Sequence, residues 1–259
     1  MPRYFDIHSH LNFKDYETDL DEVIGRLKDT DTYTIVVGTD YETSKQALEL
    51  AEKHSGIYAC IGIHPVDKPA RVFDKAQFAE LVKSSKVVAV GECGMDFYHT
   101  KKEDDYDRQK KLFLDQINFA LEYDKPIMIH TRNAYEEILE ILEPLKEMHG
   151  DNLRGNVHFF AGDLEVAKRF VNIGFTLSFT GVITFVRDYD EVVKNITLAS
   201  IMSETDAPYV APVPHRGKRN EPIFVSEVVR KIALIRGEPL ETVQKALIDN
   251  VFKLFRISP

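Results

Sequence analysis

Residues 109–132 read QKKLFLDQINFALEYDKPIMIHTR. Leu112, Phe113, Gln116, Ile117, Ala120 and Leu121 recur at steps of three and four, which predicts a helix with one buried face. Asp124-Lys125-Pro126 stops it, because proline has no N–H to donate and clashes with the preceding turn. A short apolar run over 126–129 then ends on His130-Thr131-Arg132. An unbroken run this short predicts a strand buried on both faces, as in a parallel sheet.

The same unit repeats outward in both directions. Further apolar runs stand at 4–7, 33–37, 57–63, 87–90, 155–159, 175–179 and 199–202. Helical patterns at 20–27, 44–52, 75–82, 106–121, 134–147, 164–171 and 189–193 lie between them, and two more, 223–235 and 240–255, follow the eighth run. Eight strands alternating with helices over roughly 250 residues is the arithmetic of an α/β TIM barrel, (β/α)8. An open doubly wound sheet is the alternative, but no glycine-rich phosphate fingerprint follows the first run. No linker, low-complexity tract or long charge block divides the chain, so residues 1–259 read as a single domain, with the last helical pair closing and capping the barrel.

The 259 residues include 33 Lys+Arg and 42 Asp+Glu, a formal charge of −9. That balance argues against a protein that coats DNA, which needs a basic surface to displace counterions. Two cysteines cannot build a disulfide framework, and a reducing compartment is expected. No apolar run approaches the roughly 18 residues of a membrane span. Met1-Pro2-Arg3-Tyr4-Phe5-Asp6 reads directly as a strand rather than as the apolar part of a signal peptide. The expectation is a cytoplasmic protein with no membrane association, and nothing in the sequence implies a protein partner.

Residues able to bind metal stand at the ends of the runs. Asp6-Ile-His8-Ser-His10 ends the first, Gly62-Ile-His64-Pro65 the third and Gly91-Glu92 the fourth. His130 ends the fifth, His158 the sixth, and Glu204-Thr-Asp206 the eighth. Taken singly, each has an ordinary structural explanation: a core histidine, a helix-facing carboxylate, a turn before proline. In a barrel, however, all of them project to the C-terminal rim, so residues two hundred positions apart converge on one bowl. Imidazoles and carboxylates suit Mg²⁺, Mn²⁺ and Zn²⁺, and the lack of ligand-spaced cysteines argues against structural zinc. The set reads as a site for two divalent cations: His8 and His10 on one, His130 and His158 on the other, Glu92 bridging. Two ions about 3.5–4 Å apart can share a hydroxide nucleophile and stabilise the attacking and leaving oxygens of a phosphodiester. Asp206 is placed to ligate and to act as general base, and His64 to donate a hydrogen bond to substrate or developing charge.

The segment Pro214-His215-Arg216-Gly217-Lys218-Arg219-Asn220-Glu221-Pro222 puts three cations and a histidine in one loop after the eighth strand, an expected anion grip at the barrel mouth. Gly94-Met-Asp96-Phe-Tyr-His99 offers aromatic faces on which bases could stack, with core packing of Phe97 and Tyr98 as the alternative. Cys60 and Cys93 are expected to be core residues.

These motifs, together with His130-Thr-Arg132, Ser203-Glu-Thr-Asp206-Ala-Pro208 and Arg216-Gly-Lys218-Arg-Asn220-Glu-Pro222, resemble the TatD-type metal-dependent hydrolases, the TatD DNase family of the amidohydrolase-like barrels. The resemblance runs from the first strand to the last helices. It implies a TIM barrel with two divalent cations that hydrolyses phosphodiesters as a Mg²⁺-dependent deoxyribonuclease, a 3′–5′ exonuclease on single-stranded DNA, with DNA as a transient substrate. By resemblance His8, His10 and Asp206 serve the first metal, His130 and His158 the second, and Glu92 both. His64, Arg132, His215, Arg216, Lys218 and Asn220 are expected to contact the substrate. Phe159-Phe160-Ala161-Gly162 after His158, and Asn133 after Arg132, depart from the family's usual residues at positions that bear on substrate rather than on metal.

Two other functions fit the same residues. A deacylase or amidohydrolase acting on a carboxylic ester or amide would use the same two-ion hydroxide, although many such barrels bridge their ions with a modified lysine where this chain has Glu92. A metal-loaded binding protein without turnover would bind ions tightly and hydrolyse nothing.

Overall fold

The eight apolar runs form eight strands: β1 (Tyr4–Ser9), β2 (Thr32–Val37), β3 (Ile57–Ile61), β4 (Val87–Asp96), β5 (Ile127–Arg132), β6 (Gly155–Val157), β7 (Thr176–Phe179) and β8 (Ile201–Ser203). The computed structural model describes residues 1–66 and 72–257. Each strand pairs in parallel with the next, in the order β1 to β8. The circle is drawn nearly shut just beyond β8, where Ser9 bridges Ala207, His10 N–H donates to Ala207 O (2.7 Å) and Asp206 N–H donates to His8 O (2.9 Å). The architecture is a TIM barrel.

Around it run α1 (Leu20–Asp29), α2 (Tyr41–Lys53), α3 (Lys75–Leu81), α4 (Lys102–Glu122), α5 (Tyr135–His149), α6 (Leu164–Asn172), α7 (Asp190–Asn195), α8 (Val225–Arg236) and α9 (Leu240–Phe255). Their apolar faces pack on the outward strand residues in one continuous layer that includes Val36, Val90, Ile129, Leu112, Phe113, Ile138 and Phe170. A second cluster joins Phe5, Ile7, Ile35, Val37, Cys60, Met128 and Met202 to Val251, Leu254 and Phe255 of α9. The last helix therefore plugs the barrel interior at the end away from the strand C-termini. Cys60 and Cys93 are both buried and unpaired with each other. No helix among the described residues is long and apolar enough to cross a membrane.

Two departures from the expected boundaries matter for the site. Helix α4 begins four residues earlier than its apolar period predicts, because Glu103, Asp104 and Asp105 in its first turn face the positive end of the helix dipole. Strand β4 runs six residues past its apolar stretch, pairing Gly94 with His130, Met95 with Thr131 and Asp96 with Arg132. The strands come too close there for a side chain: Gly94 has φ +143°, and a Cβ on it would sit 2.0 Å from the carbonyl oxygen of His130.

Strands β1 and β4, which carry His8 and Glu92, also slip register by one residue. Asp6 pairs with Thr34 but Ser9 with Val36, and Val90 pairs with Ile127 but Cys93 with Ile129. Adjacent side chains on a regular strand face opposite ways, yet Ile7 lies in the interior cluster and His8 reaches Met128 of the same cluster, Nδ1 to Sδ 3.0 Å. A bulge re-aims the side chains that follow it. It is what lets the strand bury Ile7 and still present His8 inward.

Gly94→Ala combines a clash with a backbone angle that L-residues avoid, at a cost of about 3 kcal/mol. The expected outcome is a fall in melting temperature of roughly 6–12 °C, read by thermal denaturation; an unchanged melting temperature would show that β4 and β5 have room to separate.

Candidate metal centre

At the C-terminal ends of the strands the expected residues do meet. Four donor atoms converge on the β1 side: His8 Nε2 lies 3.2 Å from His10 Nε2, 3.4 Å from Glu92 Oε2 and 3.8 Å from Asp206 Oδ1. His10 Nε2 is 3.9 Å from Glu92 Oε2 and 3.5 Å from Asp206 Oδ1. Ligands about 2.0–2.2 Å from a shared ion stand about 3.0–3.6 Å apart in tetrahedral or octahedral geometry. The cage, with separations of 3.2–3.9 Å, is that size or slightly wider.

Its protons agree. His10 Nδ1–H donates to Val37 O (3.0 Å) and His8 Nδ1–H to the Met128 thioether, so both neutral rings turn a lone pair toward the other's Nε2. Two lone pairs opposed at 3.2 Å need a positive charge between them, a proton or a metal ion. With two buried carboxylates alongside, a divalent cation fits.

Glu92 turns its other oxygen the opposite way. Oε1 is 2.9 Å from His130 Nδ1, 3.0 Å from His158 Nε2 and 3.7 Å from His64 Nε2. Burial alone would raise this carboxyl, but His158, His64 and His8 and the His130 hydrogen bond outweigh it and hold Glu92 well below the ordinary range. Asp206 is also held low: burial raises it, and the His10 hydrogen bond with the neighbouring His158 and His8 imidazoles more than offsets that. Burial and neighbouring His130 push His64 down to about 3, so its ring stays neutral. His64 sits closer than expected: its donor atom groups with Glu92 and His130 within ion-binding reach.

The imidazoles are aimed from behind. His130 Nε2–H donates to Asp96 Oδ2 (3.0 Å), which frees Nδ1 to face Glu92. His158 Nδ1–H donates to Glu204 Oε1 (3.2 Å), and Glu204 is fixed in turn by Phe159 N–H (2.6 Å) and Ser178 Oγ–H (2.7 Å). Asp96 also accepts from Tyr98 N–H, His99 N–H and His99 Nδ1–H. Burial alone would raise it, and these bonds hold it below the carboxylate range instead. Helix α4 anchors two strand ends with glutamines seven residues apart. Gln109 pairs its amide with the backbone of Asp96 (2.7 and 3.1 Å), and Gln116 pairs with that of Ile63 (2.8 and 3.0 Å), the residue before His64. Asp6 accepts from Thr205 N–H (2.9 Å) and Thr205 Oγ–H (2.6 Å), tying β1 to the loop that carries Asp206. The sequence reading gave none of Asp96, Glu204, Asp6, Gln109 and Gln116 a role. Their signal is a polar residue beside an apolar strand end or on the buried face of a helix.

The expected substrate residues are placed unevenly. Arg132 is exposed, its guanidinium 3.9 Å from the Tyr98 ring centre, and Arg216 lies 3.7 Å over Phe185. His215 stacks flat on Phe224 at 3.7 Å, and Lys218 is exposed. Asn220 does not reach the mouth, contrary to expectation. It is fully buried, donating to Thr205 O (2.9 Å) and Tyr209 O (2.6 Å) and accepting from Glu221 N–H (2.9 Å), so it pins the loop rather than facing solvent. The loop's third cation, Arg219, is taken up by a bidentate pair with Asp19 (2.6 and 2.7 Å) and by stacking on Tyr16.

The family model for TatD related DNase matches residues 5–256. The chain is 42% identical over 258 residues to the metal-dependent hydrolase YabD of Bacillus subtilis (strain 168), covering 98% of this chain and 99% of that one. It is 32% identical over 258 residues to the metal-dependent hydrolase YcfH of Escherichia coli (strain K12), covering 97% and 95%. The crystal structure of YjjV, a TatD homologue from Escherichia coli K12, superposes with a TM-score of 0.90 at 29% identity over 99% of both chains. The chain belongs to the TatD-related DNase family and is a metal-dependent hydrolase.

Glu204 groups with His8 and His158 within ion-binding reach, but its oxygens are taken up by His158 Nδ1–H, Phe159 N–H and Ser178 Oγ–H, so its removal tests the support it gives His158. Glu204→Ala is expected to weaken Mn²⁺ or Zn²⁺ binding about 10–100-fold in a calorimetric titration, with the circular dichroism spectrum retained; unchanged affinity would show that His158 needs no support.

Proposed function

We propose that this member of the family is a two-metal phosphodiesterase that cleaves DNA, acting as a 3′–5′ exonuclease on single-stranded ends. The observation that carries the reading is the division of Glu92, whose Oε2 faces His8 and His10 while Oε1 faces His130 and His158. A carboxylate so divided suits two ions better than one. His8, His10 and Asp206 would hold the first, and His130 and His158 the second, with Glu92 shared. Bound there, Mg²⁺, Mn²⁺ or Zn²⁺ supplies Lewis acidity to a phosphoryl oxygen and lowers the pKa of an attacking water.

The side chains do the remaining work. Asp206, buried beside His10 and held ionised, takes the proton of the attacking water as general base. His64 Nδ1 accepts from Val66 N–H (3.4 Å), which leaves the proton of the neutral ring on Nε2. On this reading that N–H would donate to a substrate oxygen as charge develops on it. Arg132, Arg216 and Lys218 at the mouth supply cations for flanking phosphates, and DNA is held only transiently.

Glu92→Ala and Asp206→Ala should each lower divalent-dependent cleavage of labelled single-stranded DNA by at least about a thousandfold while leaving the fold intact by circular dichroism. Product ladders report polarity. Full activity in both variants would sink the mechanism, and cleavage of an aminoacyl ester but not of DNA would move the function to the deacylase class.

A further inference from the structure

We propose that Tyr98 and Arg132 form a stacking platform that selects an unpaired nucleobase beside the scissile phosphate; the inference rests on the phosphodiesterase reading and adds what that reading lacks, a basis for preferring single strands. Tyr98 is 60% exposed, unusual for a large ring and notable at the rim of a buried polar site. Its place is fixed. The backbone N–H of Tyr98 donates to Asp96 Oδ1 (2.9 Å), while Oδ2 of the same carboxylate accepts from His130 Nε2 (3.0 Å). One carboxylate thus ties the ring's backbone to an imidazole of the centre.

Arg132 fixes the ring's other side. It stands two residues beyond His130 on β5, and alternate residues share a face, so it projects on the same side as His130, about 6.6 Å further along the strand. Its guanidinium lies 3.9 Å from the Tyr98 ring centre, within cation–π range. Among the described residues, Arg132 is exposed and in no ion pair with a carboxylate, and its guanidinium rests on the Tyr98 ring. The cation lies over the ring, the His99 ring meets it nearly at right angles at 5.0 Å, and the ring keeps 60% of its surface exposed, while the guanidinium N–H fork can meet a phosphate.

The pair thereby offers both parts of a nucleotide a partner: the exposed part of the ring stacks a base, and the guanidinium meets the adjacent phosphate. In a duplex both faces of an internal base are covered by its neighbours, so only an unpaired or frayed base can use the platform. Phe97, the preceding residue, is packed against the core and Tyr106, so the burial that competes for aromatic rings here falls on Phe97 and leaves Tyr98 out.

The test is fluorescence anisotropy with Mg²⁺ and a labelled single-stranded phosphorothioate oligonucleotide that resists cleavage. Tyr98→Ala should raise Kd about tenfold, and Tyr98→Trp, which keeps a ring, should restore binding. With an oligonucleotide abasic at its 3′-terminal residues, wild type and Tyr98→Ala should bind alike. Equal losses on the two oligonucleotides, no loss on either, or no binding by wild type would overturn the platform. Cleavage of unmodified DNA by wild type is scored separately: its absence alongside base-dependent binding would overturn the phosphodiesterase reading and leave the platform standing.

Discussion

Glu92 is the constraint around which the rest of the site is arranged. A buried carboxylate is costly unless it is paired, and this one has imidazoles on both sides, His8 and His10 toward one oxygen and His130, His158 and His64 toward the other. Those residues come from β1, the end of β3, β5 and the end of β6, so no local segment could assemble them. A barrel can, because its parallel strands deliver every C-terminal end to one rim. The cost of concentrating so many polar groups is met by the apolar packing below, where α9 seals the other end of the barrel.

The groups behind the imidazoles determine which nitrogen each one presents. Val37 O, Asp96 and Glu204 each accept a ring N–H and so leave a defined lone pair facing Glu92 or its neighbours. Position is set one layer further out. Gln109 and Gln116 bind the backbones at the ends of β4 and just past β3, and the register slips in β1 and β4 turn His8 and Glu92 inward. The precision of the centre depends as much on these amide and backbone contacts as on the residues that meet in it.

How much of this was legible in the sequence follows from which interactions have a period. Alternating apolar runs and three-and-four spacings mark strands and helices, and all eight strands fall where the runs do, because burial on a regular lattice repeats. The convergence of His8, His10, Glu92, His130, His158 and Asp206 follows once the barrel is recognised. What has no period stayed hidden. A one-residue slip at Asp6–Ser9 leaves no trace in composition, and the extension of β4 through Gly91–Asp96 is polar and glycine-bearing where a strand should be apolar. Asn220 and Arg219 looked like substrate ligands because they sit in a basic loop. Only the fold shows that Asp19, two hundred residues away, claims the arginine and that backbone carbonyls claim the amide.

That reassignment changes the meaning of the acidic charge. With a formal charge of −9 and one of the three loop cations neutralised by Asp19, the protein is poorly suited to hold a polynucleotide along its length by counterion release. Of the cations expected at the mouth, Arg132 and Arg216 lie against Tyr98 and Phe185. A guanidinium spread over a ring is a flat surface as well as a charge, suited to a base and its phosphate together rather than to backbone alone. On the proposed reading, two dications would therefore carry the charge neutralisation at the scissile phosphate, and ring faces the recognition beside it. An acidic exterior is compatible with such a site, since it repels the length of a nucleic acid and leaves the bowl as the place where a short unpaired end can be held.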